Sequence, residues 1–158
     1  MKKTDIKILV NLRTQGRVPL TELSRKTNLP VSTIHDRLKR EIQKGMIKPT
    51  ILFDFEKLGF DTRAHILLSV EPTEKEKLLA HLKEQPNVNS LFRINNGWNV
   101  LMECVFKNMQ ESENFVEQLE QNFHIKQKEV HYVLQEIKRE GFLTQQEKAD
   151  KLFAENKT

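Results

Sequence analysis

Three short segments within residues 5–47 repeat their apolar side chains every three or four positions, which is the spacing of amphipathic helices. The first ends at the Gln15-Gly16 break, the second begins near Pro19, and the third extends from Ser32 to Lys44, after which Gly45 ends it. Such short helices cannot bury a core singly, so they are expected to pack together as one small unit.

The second and third helices are separated only by the turn Asn28-Leu29-Pro30. Two helices joined so closely are typical of a helix-turn-helix, in which the second helix enters the major groove of DNA. Residues 48–55 are largely apolar and favour an extended segment, a wing that continues into a linker strand. The pattern therefore predicts a winged helix-turn-helix, although a solvated helix face would give the same spacing.

The charge distribution favours double-stranded DNA as the partner. The first 50 residues hold 12 Lys and Arg against 4 Asp and Glu, a net charge of +8, whereas the whole chain carries only +4. Neutralisation of phosphates dominates nucleic-acid affinity, so a basic head on an acidic body indicates a polyanion. RNA is less favoured because this head has no aromatic residue before Phe53 on which bases could stack.

Candidate DNA-binding residues lie on the third helix, on the face opposite Ile34 and Leu38. Side chains near the start of such a helix reach base edges, and later cations meet phosphates. Arg37 lies on the flank, where either role is open. The predicted set is Ser32, Thr33, Asp36, Arg37, Lys39, Arg40 and Lys44.

Other functional classes find little support. No apolar run is long enough to span a bilayer, and Met1 leads into a helix without a signal-peptide region, so we expect a cytoplasmic protein. The single cysteine, Cys104, excludes an internal disulfide, and the five histidines show no i, i+4 pair for a metal. No nucleophile motif or phosphate loop is present, so we expect no enzyme, no cofactor and no metal.

The second half alternates strands and helices in the order strand, helix, strand, strand, helix, strand, which is the ferredoxin-like βαββαβ arrangement. Asn96-Gly97-Trp98 suits the turn of an antiparallel hairpin between the middle strands. The predicted strands are 62–70, 88–95, 99–106 and 129–137. The chain is therefore expected to be an α+β protein with an N-terminal winged helix-turn-helix and a C-terminal ferredoxin-like domain.

We predict four regions: a DNA-binding domain at 1–50, a linker strand at 51–60, a ferredoxin-like effector and oligomerisation domain at 61–143, and a tail at 144–158. The tail has the pattern of one helix, with Ala149, Leu152 and Phe153 on its apolar side, or it frays.

One face of the predicted sheet is half apolar and not covered by the helices. Exposed apolar patches of that size are unusual on monomers, so a homodimer is expected. The residues assigned to this open face are Leu67, Leu91, Leu101, Val105, Val133 and Ile137, beside His65, Arg93, Glu103 and His131.

With these features the chain resembles the leucine-responsive regulatory protein and asparagine-regulator (Lrp/AsnC) family of prokaryotic transcription factors over residues 4–143. The matching segments are Asp5–Leu12, Leu20–Ser24, and Arg37–Ile47 with its Gly45-Met46-Ile47 ending. The order of the two modules is the specific feature. The resemblance implies a sequence-specific DNA-binding regulator that dimerises through its effector domain, often assembles into larger even-numbered oligomers, and in many cases senses an amino acid.

Two departures from the family pattern stand out. Glu41 with Ile42 replaces the usual Leu before the Gly turn, so the helix packs slightly rotated or Glu41 pairs with a nearby cation. The loop that usually resembles Gly, any residue, aromatic, Asp contains Asn96, Gly97, Trp98 and Asn99 here. These four are the candidate effector-binding residues, but an amide in place of the carboxylate lacks the charge that favours an ammonium group. A hairpin turn with an anchoring Trp is the alternative.

Two other functions remain open. Some proteins similar to this family in both modules are siroheme decarboxylases, and Arg93, His65 and His131 would supply the cationic and imidazole groups such an enzyme needs. A sequence-blind DNA organiser is the third possibility, which would bind DNA with salt sensitivity but without an operator.

Overall fold

The computed structural model describes residues 3–154. Its helices are α1 (Lys3–Thr14), α2 (Leu20–Thr27), α3 (Val31–Gln43), α4 (Lys75–Lys83), α5 (Met109–Asn122) and α6 (Gln146–Ala154). Its strands are β1 (Thr62–Val70), β2 (Val88–Arg93), β3 (Val100–Phe106) and β4 (Ile125–Tyr132). The chain forms two compact units, a head made of the segment up to residue 52 together with the segment from residue 138 onward, and an effector unit of residues 53–137.

The head contains the predicted helix-turn-helix. Leu23 of α2 and Ile34 of α3 are fully buried against Ile8 and Val18. The turn between α2 and α3 is tight because Asn28 adopts a left-handed conformation with φ of 55°, which asparagine tolerates better than most residues. These contacts fix α3 against α2 and leave the opposite side of α3 in solvent.

Gly45 ends α3 as expected. Its φ is +72°, and its N–H donates to the Ile42 carbonyl at 2.9 Å while the Met46 N–H donates to the Glu41 carbonyl at 3.0 Å. This is the hydrogen-bond pattern of a Schellman cap, which needs a left-handed residue and so favours glycine.

The predicted linker strand at residues 51–60 is wrong for the part of the chain that the structure describes. Residues 48–54 have neither helix nor strand structure, and a short 3-10 turn follows at Glu56–Leu58. A strand needs a neighbour for its backbone groups, and the sheet described within residues 3–154 consists of β1 to β4. The apolar side chains Ile51, Leu52 and Phe53 are consequently 51–62% exposed.

The effector unit is ferredoxin-like. Its four strands form an antiparallel sheet in the order β2-β3-β1-β4. Both helices supply residues to one core on a single face of the sheet, where Leu78 and Leu82 of α4 and Leu119 of α5 meet Ile66 and Met102. The predicted α+β architecture is confirmed.

A bulge in β2 changes which side chains face the open side of the sheet. The pairing shifts between Val88 and Ser90, so that Leu91 lies opposite Met102 and Arg93 opposite Val100, both on the helix-covered face. An extra residue in a strand reverses the alternation beyond it. The assignment of Leu91 and Arg93 to the open face is therefore wrong, and Phe92 occupies that face instead.

The last strand begins and ends earlier than predicted. It covers Ile125–Tyr132 rather than residues 129–137. It pairs antiparallel with β1, in which Ala64 lies opposite Tyr132, and β1 begins at Thr62, so residues 135–137 have no strand residue opposite them. Val133 makes one more backbone bond, to the Arg63 carbonyl at 2.8 Å. Ile137 lies beyond the sheet and is 83% exposed, so its predicted place on the open face is also wrong.

The tail forms the predicted helix, α6, over Gln146–Ala154; residues 155–158 lie outside the described part. Its apolar side packs within the head, where Ala149 is completely buried against Ile6 and Val10 of α1. None of the helices described in residues 3–154 has the length and apolar character needed to cross a membrane.

Candidate DNA-binding surface and effector loop

The exposed face of α3 is a continuous polar stripe along the helix. Ile34 is fully buried on the opposite side and Leu38 is half-buried. The stripe follows the three- and four-residue spacing of one helix face, and its members are Ser32, His35, Asp36, Lys39, Arg40 and Gln43. Of the predicted residues, Ser32, Asp36, Lys39 and Arg40 lie on this stripe.

The stripe contains two residues that the predicted set omits, Gln43 and, between Ser32 and Asp36, His35. The side chain of His35 is 63% exposed, and its Nδ1 lies 3.3 Å from Asp36 Oδ1. The signal was present in the sequence, since His35 stands three positions after Ser32 and four before Lys39. Hydroxyl, imidazole and carboxylate groups provide the donors and acceptors that base edges can pair with.

Two cations near the end of α3 share one carboxylate. Arg40 Nε lies 3.1 Å from Glu41 Oε1, and Lys44 Nζ lies 3.7 Å from the same oxygen. Glu41 is mostly covered, with 19% of its side chain exposed, while both cations are more than half exposed. The expected pairing of Glu41 with a nearby cation is confirmed, and it involves two predicted phosphate contacts.

Arg37 points away from the stripe. Its Nη1 donates to Asp5 Oδ1 at 2.5 Å and to Thr4 Oγ1 at 3.0 Å, both on α1. The guanidinium is therefore engaged within the head, on α1. Thr33 is half-buried beside the stripe, and Lys44 caps the end of α3.

The predicted hairpin turn between β2 and β3 is present. Asn96 and Gly97 both have positive φ, of 65° and 89°. The backbone N–H of Trp98 donates to the backbone carbonyl of Asn95 at 3.4 Å. Consecutive left-handed residues of this kind form a type I′ turn, for which Asn-Gly is the preferred sequence. Asn96 and Gly97 are exposed at its tip, and Trp98 is half-buried.

Asn99 connects this turn to the end of β1. Its Oδ1 accepts a hydrogen bond from the Val70 N–H at 2.8 Å, and its own N–H donates to the Leu68 carbonyl at 3.0 Å. The side-chain carbonyl of Asn99 is thus the hydrogen-bond acceptor for the backbone N–H of Val70, the last residue of β1. The amide NH₂ of Asn99 takes no part in these two bonds.

The open face of the sheet has an apolar row beside a polar row. The pairing aligns Phe92, Leu101 and Leu67 across three strands, with Phe92 54% exposed. The adjacent row aligns Ser90, Glu103, His65 and His131.

The three side chains proposed for a tetrapyrrole site do not come together. His65 and His131 are paired on the open face, whereas Arg93 lies on the opposite face and forms an ion pair with Glu76 of α4, 2.5 Å between Nη2 and Oε1.

The described part of the chain has no cluster of metal-ligating side chains, and its cysteine is buried. Within residues 3–154 no three His, Cys, Asp or Glu side chains are grouped closely enough to hold a metal ion. Burial in the sheet core raises the pKa of the Cys104 thiol to about 12, so it stays protonated and unreactive at neutral pH.

We call α3, the second helix of the helix-turn-helix, the reading helix. A basic reading helix followed by a ferredoxin-like domain defines a class of DNA-binding regulators with a separate ligand-binding domain. Residues 1–48 match the family model for a winged helix-turn-helix DNA-binding domain, and residues 63–143 match that for the Lrp/AsnC ligand binding domain. The chain belongs to the Lrp/AsnC family, and it is a DNA-binding transcriptional regulator.

Relatives and solved structures agree with this assignment. The HTH-type transcriptional regulator FL11 of Pyrococcus furiosus is 32% identical over 114 residues, which cover 72% of this chain and 76% of that protein. The structure of the regulator NMB0573 of Neisseria meningitidis in complex with L-Met has a TM-score of 0.81 and 29% identity, covering 88% of this chain and 93% of that one. AsnC of E. coli, at 20% identity, shares the fold with a TM-score of 0.78 and covers 88% and 95% of the two chains.

Proposed function

We propose that the protein binds specific DNA sites through the α3 stripe and that a small effector acting on its second unit modulates this binding. The observation that carries the proposal is the stripe itself, six exposed polar residues on the second helix of a helix-turn-helix, within a segment of 50 residues whose net charge is +8. Action on chromosomal DNA would place the protein in the cytoplasm.

The stripe divides into two roles by position. Ser32, His35 and Asp36 occupy its first half, where a helix in the major groove meets base edges, and Thr33 lies beside them. Lys39 and Arg40 follow on the stripe, and Lys44 lies at the end of α3, where cations meet the phosphates that flank the groove. Arg37 is assigned to holding α3 against α1 rather than to DNA.

An amino acid is the proposed effector. A relative in the same family, NMB0573, was solved in complex with L-Met, and residues 63–143 match a ligand binding domain. We assign the Asn96 to Asn99 loop to this site through the exposed Asn96 and Gly97, the indole of Trp98 and the amide NH₂ of Asn99. A neutral amide in place of a carboxylate predicts weak attraction for the ammonium group of an amino acid.

Self-association is the remaining part of the proposal. The row Phe92, Leu101 and Leu67 presents apolar surface on the open face of the sheet. Burial of one large apolar side chain stabilises an assembly by about 1.5–3 kcal/mol. We propose a homodimer through this face and larger even-numbered assemblies of such dimers.

The alternative of an enzyme acting on a tetrapyrrole receives no comparable support, because its three proposed residues lie on two faces of the sheet. Purified protein mixed with siroheme provides the check, since an unchanged visible spectrum is expected and a shifted one would support binding.

Selection of binding sites from a random DNA library tests the main proposal. One enriched motif with two-fold symmetry is expected, because a dimer presents two reading helices to two half-sites. The parent is compared with Asp36→Ala and Lys39→Ala. The first should change the bases enriched, and the second should lower the yield of all sequences alike. An unenriched library from the parent would favour the sequence-blind organiser.

A further inference from the structure

We propose that the segment after residue 137 is a clamp that positions the DNA-binding helices, acting on α1 and through α1 on the reading helix. The clamp is defined as residues 138–154. This inference rests on the proposed function of α3 and adds a part of the chain that lies mostly beyond the matched family domains, which end at residue 143.

The first observation is a buried apolar contact between α6 and α1. Ala149 of α6 is completely buried, and its neighbours Ile6 and Val10 on α1 are only 4% and 7% exposed. Leu143 and Phe153 pack against this cluster. A charged side chain at position 149 would therefore be placed among apolar groups and away from water.

The second observation is polar and lies one turn further along α1. Arg13 donates from Nε to the Phe142 carbonyl at 3.2 Å and forms an ion pair with Glu140, and Thr14 Oγ1 lies 3.3 Å from the Thr144 carbonyl. The clamp thus holds α1 at three successive turns, through Ile6, Val10 and Arg13.

The backbone of the clamp is bent in a way that bulky residues rarely adopt. Glu140 has φ of 53° and Leu143 has φ of 59°. Left-handed conformations at residues other than glycine persist where surrounding contacts hold them. Arg13 contacts this turn at Glu140 and at the Phe142 carbonyl, and Leu143 packs against the buried cluster.

The other side of α1 touches the reading helix. Ile8 belongs to the core that buries Ile34 of α3, and Asp5 binds Arg37 of α3. Residues 5 and 8 face α3, whereas residues 6, 10 and 13 face the clamp. α1 therefore lies between them, and a shift of the clamp displaces the support of α3.

The clamp is the segment that directly follows the effector unit in the chain, so it is a route by which that unit can act on α1. The effector unit, residues 53–137, lies in sequence between the two segments that form the head. The chain therefore connects the two units twice, at residues 52–53 and at residues 137–138. β4 leads through residues 133–137 directly into the clamp. A change at the end of β4 can therefore reach α1 without passing through the linker at residues 51–60.

The test uses full-length variants with matched charge. Ala149→Glu places a carboxylate in the buried contact, and Ala154→Glu places the same group at an exposed position of the same helix. DNA affinity of Ala149→Glu is expected to fall at least tenfold with an unchanged salt slope, since no phosphate contact is removed, and Ala154→Glu should stay within twofold of the parent. Equal affinities for the two variants would overturn the proposal.

A milder pair of variants separates positioning from loss of the fold. Arg13→Glu should weaken DNA binding two- to fivefold, and Arg13→Glu combined with Glu140→Arg should restore it by re-forming the ion pair. Failure of the double variant to recover would mean that Arg13 acts on DNA itself, against the clamp.

Hydrogen exchange provides a readout independent of DNA. The α1 amides should exchange faster in Ala149→Glu than in Ala154→Glu, and equal protection of α1 would contradict the clamp. If the parent itself binds no DNA site selectively, the proposed function fails while this exchange result still tests the clamp.

Discussion

Asp5 on α1 and Arg37 on α3 are joined by an ion pair of 2.5 Å between Oδ1 and Nη1, and their side chains are 25% and 22% exposed. The guanidinium also donates a hydrogen bond to Thr4 Oγ1 at 3.0 Å. A residue on the flank of the reading helix, which its charge alone would assign to phosphate, is thus a support for that helix.

Replacing Arg37 should affect stability more than DNA contact. Arg37→Ala removes hydrogen bonds to a carboxylate and a hydroxyl, and a loss of about 1–2 kcal/mol is expected for a partly covered pair. Both bonds come from Nη1, and the shorter Lys side chain cannot place its ammonium at that position, so Arg37→Lys should recover only part of the loss. Urea denaturation measures the free energy of unfolding. A salt slope lowered by one unit in Arg37→Ala would instead show a phosphate contact.

Glu41→Gln should strengthen DNA binding. The carboxylate holds both Arg40 and Lys44, and its neutral isostere leaves these cations available to phosphates. Affinity should rise several-fold for all sequences, and the salt slope should rise by about one unit for each additional phosphate that these cations neutralise. The matched control is Glu22→Gln, since Glu22 pairs with Lys26 on α2, away from the stripe. An unchanged affinity for Glu41→Gln would mean that neither cation reaches DNA.

Two substitutions at Asn99 separate its structural role from a role in effector binding. Asn99→Ala leaves the Val70 N–H without its acceptor, at an expected loss of about 1–3 kcal/mol. Asn99→Asp keeps an acceptor and adds a charge, so stability should stay near that of the parent while affinity for an amino acid rises. Thermal unfolding and calorimetric titration measure the two effects. If Asn99→Asp leaves every amino acid as weakly bound as in the parent, the loop is only a turn.

The open sheet face should hold the subunits together. Leu101→Glu places a charge in the middle of the apolar row, and the assembly should dissociate to monomers at micromolar concentration, as measured by sedimentation velocity. Leu134→Glu is the matched control, because Leu134 is 97% exposed and lies outside the sheet. A parent that sediments as a monomer, or a Leu101→Glu variant that keeps its assembly, would refute this interface.

The sequence predicted the elements well because its apolar spacing was regular. The three head helices, the turn at Asn28 and the ending at Gly45 each had a local signal that needed no partner. The same holds for the Asn96-Gly97 turn, where a type I′ geometry demands residues that tolerate positive φ.

The errors came from features that depend on distant residues. The bulge at Val88 to Ser90 has no local signature, yet it moves Leu91 and Arg93 to the other face. The first half of β4 was not predicted because its segment Lys126-Gln127-Lys128 is polar and lacks the alternation of a strand. Lys128 lies on the helix-covered face, where an apolar residue is expected, and forms an ion pair with Glu120 of α5. The engagement of Arg37 with Asp5 depends on α1, which is 32 residues earlier.

Competition between a selected DNA site and a scrambled one of the same composition tests the central claim most directly. The affinity ratio is measured by fluorescence anisotropy at several salt concentrations, because the sequence-independent part of the binding falls with salt. Specific recognition by the α3 stripe predicts a ratio of about 10³ or more for the parent. It also predicts that Asp36→Ala lowers this ratio by about five- to 150-fold, which corresponds to about 1–3 kcal/mol for one base contact. A ratio near one for the parent, at every salt concentration, would contradict the account.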